Sequence, residues 1–266
     1  MNISLARQMA FGHRYGFVNI SETALSRLLL SLAIVAAMSA PAFAGTVNVA
    51  VAANFTAVAE ELAEIFEARG EHHVQLSFGA TGQLYSQITQ AAPFGVFLAA
   101  DDVRPQKAID EGFGVEGTAF VYAEGRLVLY APGRAVTNGE AALRGDYNKL
   151  AIADPEAAPY GKAAVETLTA LGLFARLTPK LVQGENISQT LQFVESGNAE
   201  LGFVAASQVL GKAGQWLVPA ELHEPIAQGA VLLKAGENNP AALAFLAFLK
   251  SDEAVSVIEA AGYSVP

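Results

Sequence analysis

Four short stretches place small or neutral polar residues where a strand turns into a helix. They read AANFTA at 52–57, GATGQ at 79–83, AAPYGK at 157–162 and GENISQ at 184–189. The first N–H groups of a helix lack partners within that helix, and the helix dipole adds about half a positive charge there. Helix starts of this kind bind anions. The pattern therefore indicates an anion site built from neutral donors.

Each stretch taken alone also fits an ordinary helix cap. Asn54, Thr56, Thr81 and Ser188 are residue types that cap helices, each contributing about 1 kcal/mol. Four neutral junctions together favour a shared ligand, because helix starts meet at the carboxyl edge of parallel strands, where open α/β sheets bind ligands. A site of neutral donors suits an anion without a proton to share, since a carboxylate would repel it.

The composition excludes several kinds of site and partner. The 266 residues contain no cysteine, so the chain has no disulfide, thiolate metal site or catalytic thiol. Its net charge of −10 argues against nucleic acid or an anionic membrane as a partner. Neither a G-x-S-x-G nucleophile elbow nor a Walker phosphate loop is present. We therefore expect a binding protein and not an enzyme.

The N-terminus has the pattern of an export signal. Arg27 precedes the apolar run LLLSLAIVAAM, and the sequence PAFA at 41–44 supplies a small-x-small cleavage pattern. The apolar run is about 11 residues, against the roughly 20 that a membrane-spanning helix needs. Residues 1–44 are therefore predicted to be a cleaved signal peptide. Because no cysteine is available for a lipid anchor, the mature chain is predicted to be periplasmic.

Strand and helix patterns alternate through the mature chain, which predicts an α/β fold with mostly parallel sheets. Residues 46–53 and 95–101 have the apolar pattern of strands, and an extended run at 119–132 could leave one lobe and enter another. A second such run at 224–233 resembles a returning strand. We expect a discontinuous first lobe, a second lobe and two crossing strands. The predicted boundaries are 45–122 with 224–266 for the first lobe and 123–223 for the second.

Five segments carry a family resemblance. VAVAANFT, FGATGQLYSQI, APFGVFLAADD, IADPEAAPYG and ELGFVAASQV, in this order and near these spacings, resemble the periplasmic molybdate-binding proteins of ABC importers. The similarity runs from Val47 to the closing AAGYSVP. It implies a two-lobe periplasmic binding protein of type II. It also implies molybdate or tungstate held between the lobes by hydroxyl, amide and backbone N–H donors, and delivery to a membrane permease.

The resemblance also implies a set of ligand-binding residues. Asn54 stands where the family has a serine or asparagine donor, and Thr81 where it usually has serine. Tyr160 and Ile187 stand at positions that present backbone N–H groups to the oxyanion. Many members have a tyrosine in the position of Ala205. The Tyr160 hydroxyl is therefore expected to replace that missing donor.

Two pairs of titratable residues are assigned other roles. His72 and His73 follow a Gly-Glu turn without a third histidine nearby, so we expect both to be exposed and not to bind metal. Asp101 and Asp102 are adjacent at a strand end, where neighbouring side chains point in opposite directions. We expect them to cap the helix that Pro105 opens and not to form an acid–base pair.

The sequence thus predicts a monomeric binding protein for molybdate or tungstate, with no cofactor. Two alternatives stay open. The first is the same binding mechanism with another tetrahedral anion, sulfate or phosphate. The second is a periplasmic hydrolase, which would need a nucleophile paired with a base.

Overall fold

The computed structural model of the protein describes residues 45–70 and 72–266. The expected signal peptide, residues 1–44, lies outside them, so the cleavage site stays a prediction. Within the described residues the chain builds two five-stranded sheets flanked by helices. This confirms the predicted two-lobe α/β fold. Among these residues no helix has the length and apolar character needed to cross a bilayer.

The first sheet has the strand order β2-β1-β3-β10-β4. Its first three strands are parallel, whereas β10 runs antiparallel to both of its neighbours. The strands are β1 (Gly45–Ala52), β2 (His72–Gly79), β3 (Val96–Leu98), β4 (Phe120–Gly125) and β10 (Ile226–Leu232). The sheet is therefore mixed, with parallel strands on one side and the returning strand beside them.

Helices follow the parallel strands of the first sheet and close the chain. The helices of this lobe are α1 (Thr56–Glu67), α2 (Thr81–Thr89), α3 (Val103–Asp110), α8 (Pro240–Phe248) and α9 (Asp252–Ala260). In α1 the side chains of Val58, Leu62 and Phe66 are buried at helical spacing. α3 begins two residues before Pro105, and the Arg104 N–H donates to Asp101 Oδ1 over 2.9 Å. Asp101 therefore supplies a side-chain cap as expected, whereas Asp102, the N-cap residue, makes no side-chain hydrogen bond to the helix, so the expectation is wrong for Asp102.

The second sheet repeats this arrangement with the strand order β7-β6-β8-β5-β9. β6 pairs in parallel with β7 and β8, and β5 pairs antiparallel with β8 and β9. Its strands are β5 (Leu127–Tyr130), β6 (Leu150–Ala153), β7 (Leu181–Gly184), β8 (Leu201–Ala205) and β9 (Gln215–Leu217). Its helices are α4 (Gly139–Arg144), α5 (Pro159–Ala170), α6 (Phe174–Leu177) and α7 (Ile187–Glu195).

Two connections join the sheets. Arg126 alone separates β4 of the first sheet from β5 of the second. The chain returns between β9 and β10 through a 3₁₀ turn at Ala220–Leu222. The first crossing lies within the extended run at 119–132, whereas the second precedes the run at 224–233, which forms the returning strand β10 of the first sheet. The exact lobe boundaries, after residues 122 and 223, stay a prediction.

His72 corrects one sequence expectation. Its side chain is 8% exposed, and its Nδ1 accepts a hydrogen bond from the Gly45 N–H over 3.1 Å. Its ring stacks on Phe66, with centroids 6.2 Å apart. The two histidines begin β2, where successive side chains point to opposite faces, so His72 turns inward and His73 outward. The prediction of exposure is thus right for His73 and wrong for His72.

Two leucines of α8 test how the first lobe is stabilised. Leu246 is 7% exposed and belongs to the core of that lobe, whereas Leu243, three residues earlier, is 47% exposed. We expect Leu246→Ala to lower the free energy of unfolding by about 2–5 kcal/mol, because it leaves a cavity. Leu243→Ala should change it by less than about 0.5 kcal/mol. Urea denaturation followed by circular dichroism measures both, and equal losses would contradict this packing.

Candidate functional site

The four strand-to-helix junctions converge on one cavity. Its cavity volume is about 10 Å³, far below the roughly 300–1,000 Å³ of pockets for drug-sized ligands. Asn54, Thr81, Tyr160 and Ile187 all line it. The remaining lining residues are small or neutral: Ala52, Ala53, Gly79, Ala80, Ala100, Ala158, Pro159 and Asn186. The structure therefore brings all four predicted residues together around a space for a small ligand.

Three helices start at the wall of this cavity. Thr81 is the first residue of α2, Tyr160 the second of α5 and Ile187 the first of α7. The N-caps of α2 and α5 are alanines, which supply no side-chain hydrogen bond to the first turn. First-turn N–H groups have no acceptor within their own helix. An anion in the cavity would supply that acceptor and meet the positive ends of the helix dipoles.

Gly161 explains how α5 can start so close to the cavity. A Cβ at this position would overlap the carbonyl oxygen of Ala153, the last residue of β6. Only glycine allows the first turn of α5 to lie directly against the end of that strand. This contact holds the main chain of Tyr160 at the cavity wall.

The cavity lining carries no charged side chain among the described residues. Burial raises the pKa of the Tyr160 hydroxyl well above its ordinary value, and the neighbouring Tyr263 and Tyr122 raise it further. The hydroxyl therefore stays neutral at physiological pH. No three histidine or carboxylate side chains gather as a metal site in the described part of the chain. A bound anion would be held by neutral dipoles alone.

Thr81 offers a hydroxyl with a defined orientation. The side chain is 1% exposed, and its Oγ1 accepts a hydrogen bond from the Ala100 N–H over 3.0 Å. A hydroxyl has one proton and two lone pairs. Within the described residues the Thr81 hydroxyl donates its proton to no protein acceptor. That proton remains for a ligand in the cavity.

Asn54 lies at the cavity, but its side-chain amide is already engaged. Asn54 Nδ2 donates to Gln228 Oε1 over 2.8 Å and to the Tyr263 hydroxyl over 3.0 Å. These two bonds use both amide protons. What Asn54 still offers an anion is its main-chain N–H, within the 3₁₀ turn Ala53–Phe55. The role of the Asn54 side-chain amide as a donor to the anion, which the family resemblance implies, thus stays a prediction.

Tyr160 is a lining residue of the cavity, and its side chain is buried there. The side chain is 1% exposed, and its hydroxyl accepts a hydrogen bond from Gln228 Nε2 over 3.2 Å. Ala205, the position where the family often has tyrosine, is fully buried at the end of β8 and does not line the cavity. Whether the Tyr160 hydroxyl replaces that donor to the ligand stays a prediction.

Hydrogen bonds between the two lobes close the space around the cavity. The Gly82 N–H donates to the Ala157 carbonyl over 2.8 Å, and the Ser188 hydroxyl donates to the Ala53 carbonyl over 3.0 Å. Arg104, paired with Asp101, donates to the Glu156 carbonyl over 2.9 Å. The structure therefore has the closed arrangement of the lobes.

Sequence reasoning missed the polar residues behind the cavity. Gln228 is fully buried, and Tyr122 and Tyr263 are 2% and 6% exposed. Gln228 bonds to Asn54 and Tyr160, and Tyr263 bonds to Asn54. These bonds join positions more than 60 residues apart, so local patterns do not reveal them. One signal was available: Gln228 is the single polar side chain in the apolar run of β10, IAQGAVL. A polar side chain buried in a sheet needs a hydrogen-bond partner.

Comparison with known proteins shows to which family the chain is similar. The family of bacterial extracellular solute-binding proteins matches residues 47–264. Molybdate-binding protein ModA of Rhodobacter capsulatus is 51% identical over 237 residues, which cover 88% of this chain and 94% of that protein. These matches extend over nearly all the residues that the structure describes.

Solved structures agree with this relationship. The periplasmic molybdate-binding protein of Azotobacter vinelandii superposes with a TM-score of 0.80 at 38% identity, covering 83% of this chain and 99% of that one. The sulfate-binding protein SubI of Mycobacterium tuberculosis shares the fold, with a TM-score of 0.68 at 12% identity over 82% of this chain and 86% of that one. The fold alone therefore does not select the anion. On sequence and structure together, the chain belongs to the bacterial extracellular solute-binding proteins, in the group formed by the periplasmic molybdate-binding proteins.

Proposed function

We propose that this protein captures molybdate in the cavity between its lobes and delivers it to the membrane permease of an ABC importer. The observation that carries the proposal is the uncharged cavity on which four strand-to-helix junctions converge. Its donors are the first-turn N–H groups of Asn54, Thr81, Tyr160 and Ile187, with the hydroxyl of Thr81. The relatives named as molybdate-binding proteins support this choice of anion.

Neutral donors suit a fully deprotonated oxyanion. Molybdate and tungstate have nearly the same size and charge, so we propose that both bind. Phosphate near neutral pH keeps at least one proton and needs an acceptor, which a cavity of donors does not provide. Sulfate has the right charge but is smaller, so donors held by helices cannot all reach its oxygens.

Closure of the lobes is the second part of the proposal. We take the lobes to be residues 45–122 with 224–266 and residues 123–223, which open to admit the anion and close around it. A ligand that touches both lobes favours the closed state through its higher affinity for that state. The closed form, a periplasmic monomer, then docks on the permease.

Isothermal titration of the mature protein tests the choice of anion. Molybdate and tungstate should bind at least about 100-fold more tightly than sulfate or phosphate, a difference of roughly 2.7 kcal/mol. Sulfate binding as strong as molybdate binding would overturn the assignment of the ligand, although the solute-binding family would stand.

Thr81 provides a matched pair of variants. Thr81→Val deletes the hydroxyl at nearly constant volume and should weaken molybdate binding by about 10- to 150-fold, the loss of one hydrogen bond to a charged group. Thr81→Ser keeps the hydroxyl and its bond to the Ala100 N–H, so its affinity should stay within about threefold of wild type. If the valine variant binds like the serine variant, the hydroxyl does not contact the anion.

The neutral cavity also predicts how binding depends on pH. The one titratable side chain in its lining is Tyr160, whose pKa is raised far above its ordinary value by burial. The group stays protonated in free and bound protein, so binding neither takes up nor releases protons through it. Molybdate affinity should be constant from about pH 6 to about pH 9. A steep loss of affinity over this range would indicate an ionisable group in the site.

A further inference from the structure

Gln228 is a fully buried amide at the junction between the lobes. It lies on β10, the strand by which the chain returns to the first sheet. The pairing of β10 with β4 shifts register between Gln228 and Gly229, so the ladder is irregular at this point. Burying an amide is unfavourable unless it is hydrogen-bonded, so the partners of Gln228 indicate its role.

Three hydrogen bonds hold the Gln228 side chain. Its Oε1 accepts from Asn54 Nδ2 over 2.8 Å and from the Tyr122 hydroxyl over 3.1 Å. Its Nε2 donates to the Tyr160 hydroxyl over 3.2 Å. Because Oε1 receives two donors, the amide has one favoured orientation, with its donor end directed at Tyr160.

Two of these partners line the cavity from opposite lobes. Asn54 follows β1 of the first sheet, and Tyr160 lies in the first turn of α5, which packs on the second sheet. Gln228 therefore bonds to the cavity wall on both sides. The crossing strand β4 ends beside this contact, since a Cβ at Gly125 would overlap both the Tyr160 hydroxyl and Gln228 Nε2. Even a methyl group there would displace the bond.

The Gln228 amide has an acceptor end, Oε1, and a donor end, Nε2, and each end affects a different group of the site. The acceptor end engages one proton of the Asn54 amide while the Tyr263 hydroxyl engages the other, which leaves the main-chain N–H of Asn54 as its donor. The donor end occupies a lone pair of the Tyr160 hydroxyl, so that hydroxyl directs its own proton away from Gln228. One buried amide thereby sets the orientation of two groups at the cavity.

We propose that Gln228 is a positioning residue that couples closure of the lobes to the geometry of the anion site. The inference rests on the proposed function, because its effect is read as molybdate affinity. In the closed protein the Gln228–Tyr160 bond joins the returning strand to α5. Opening the lobes separates these elements, and closing them restores the bond together with the arrangement of donors. Gln228 itself does not line the cavity.

The first experiment compares Gln228→Met with wild type by isothermal titration with molybdate and by stopped-flow dissociation. Methionine has a similar length and removes all three hydrogen bonds. We expect affinity to fall about 10-fold or more, chiefly through faster dissociation, because two cavity groups lose their support. The Leu246→Ala variant serves as the control, since it destabilises the same lobe away from the network and should keep wild-type affinity. Affinity of Gln228→Met within twofold of wild type would overturn the proposal.

A double-mutant cycle with Tyr160→Phe separates positioning from general destabilisation. If Gln228 acts through Tyr160, the double variant should lose little more affinity than the weaker-binding single variant. Losses that multiply, about 100-fold from two 10-fold effects, would mean that the residues act independently and would contradict the proposal. A purely structural role of Gln228 predicts such independent losses.

Tyr122→Phe keeps the proposal falsifiable if Gln228→Met does not fold. It removes the hydroxyl that bonds to Gln228 Oε1 and to the Ala99 carbonyl, a hydroxyl that makes no hydrogen bond to Asn54 or Tyr160. We expect a loss of molybdate affinity of about three- to tenfold, and wild-type affinity would count against the positioning role. Failure of the proposed function is seen separately, because wild-type protein would then not bind molybdate at all.

Discussion

The cavity depends on helix starts whose first N–H groups have no acceptor within their own helices. Burying such groups is unfavourable unless something accepts their hydrogen bonds. Thr81, Tyr160 and Ile187 are at most 3% exposed, so little water reaches their N–H groups and an acceptor in the cavity would stabilise the protein. Under the proposed function, the anion supplies that acceptor to both lobes at once. Ligand affinity and lobe closure then both depend on the same N–H groups, which have no acceptor until the anion binds.

The mixed topology of the sheets meets this requirement. Parallel strands β1 and β2 end in residues that line the cavity, and in the second sheet β6 and β7 lead through short loops into α5 and α7, whose first turns line it. The antiparallel strands have a different task, because β4, β5 and β10 carry the chain between the lobes. One of them places Gln228 behind the cavity. Parallel strands thus supply the donors, and the crossing strands support them.

The sequence predicted the parts of the site that depend on local patterns. Neutral residues at the strand-to-helix junctions are visible because capping and strand periodicity act over a few residues, and parallel pairing brings such junctions to one edge. The burial of His72 depends on where β2 begins, which shifts with a single residue of register. The engagement of the Asn54 amide depends on Gln228 and Tyr263, which lie 174 and 209 residues further along the chain. No local pattern encodes that contact.

A site whose donors belong mainly to the main chain responds to mutation in an unusual way. Replacing the side chain of Ile187 leaves its N–H in place, so natural variation at that position can change the shape of the cavity without deleting a donor. Gly161 is different, because any side chain there would overlap the Ala153 carbonyl and move the whole first turn of α5. Sequence drift around this cavity is therefore limited less by the residues that line it than by the glycine that lets a helix begin beside it.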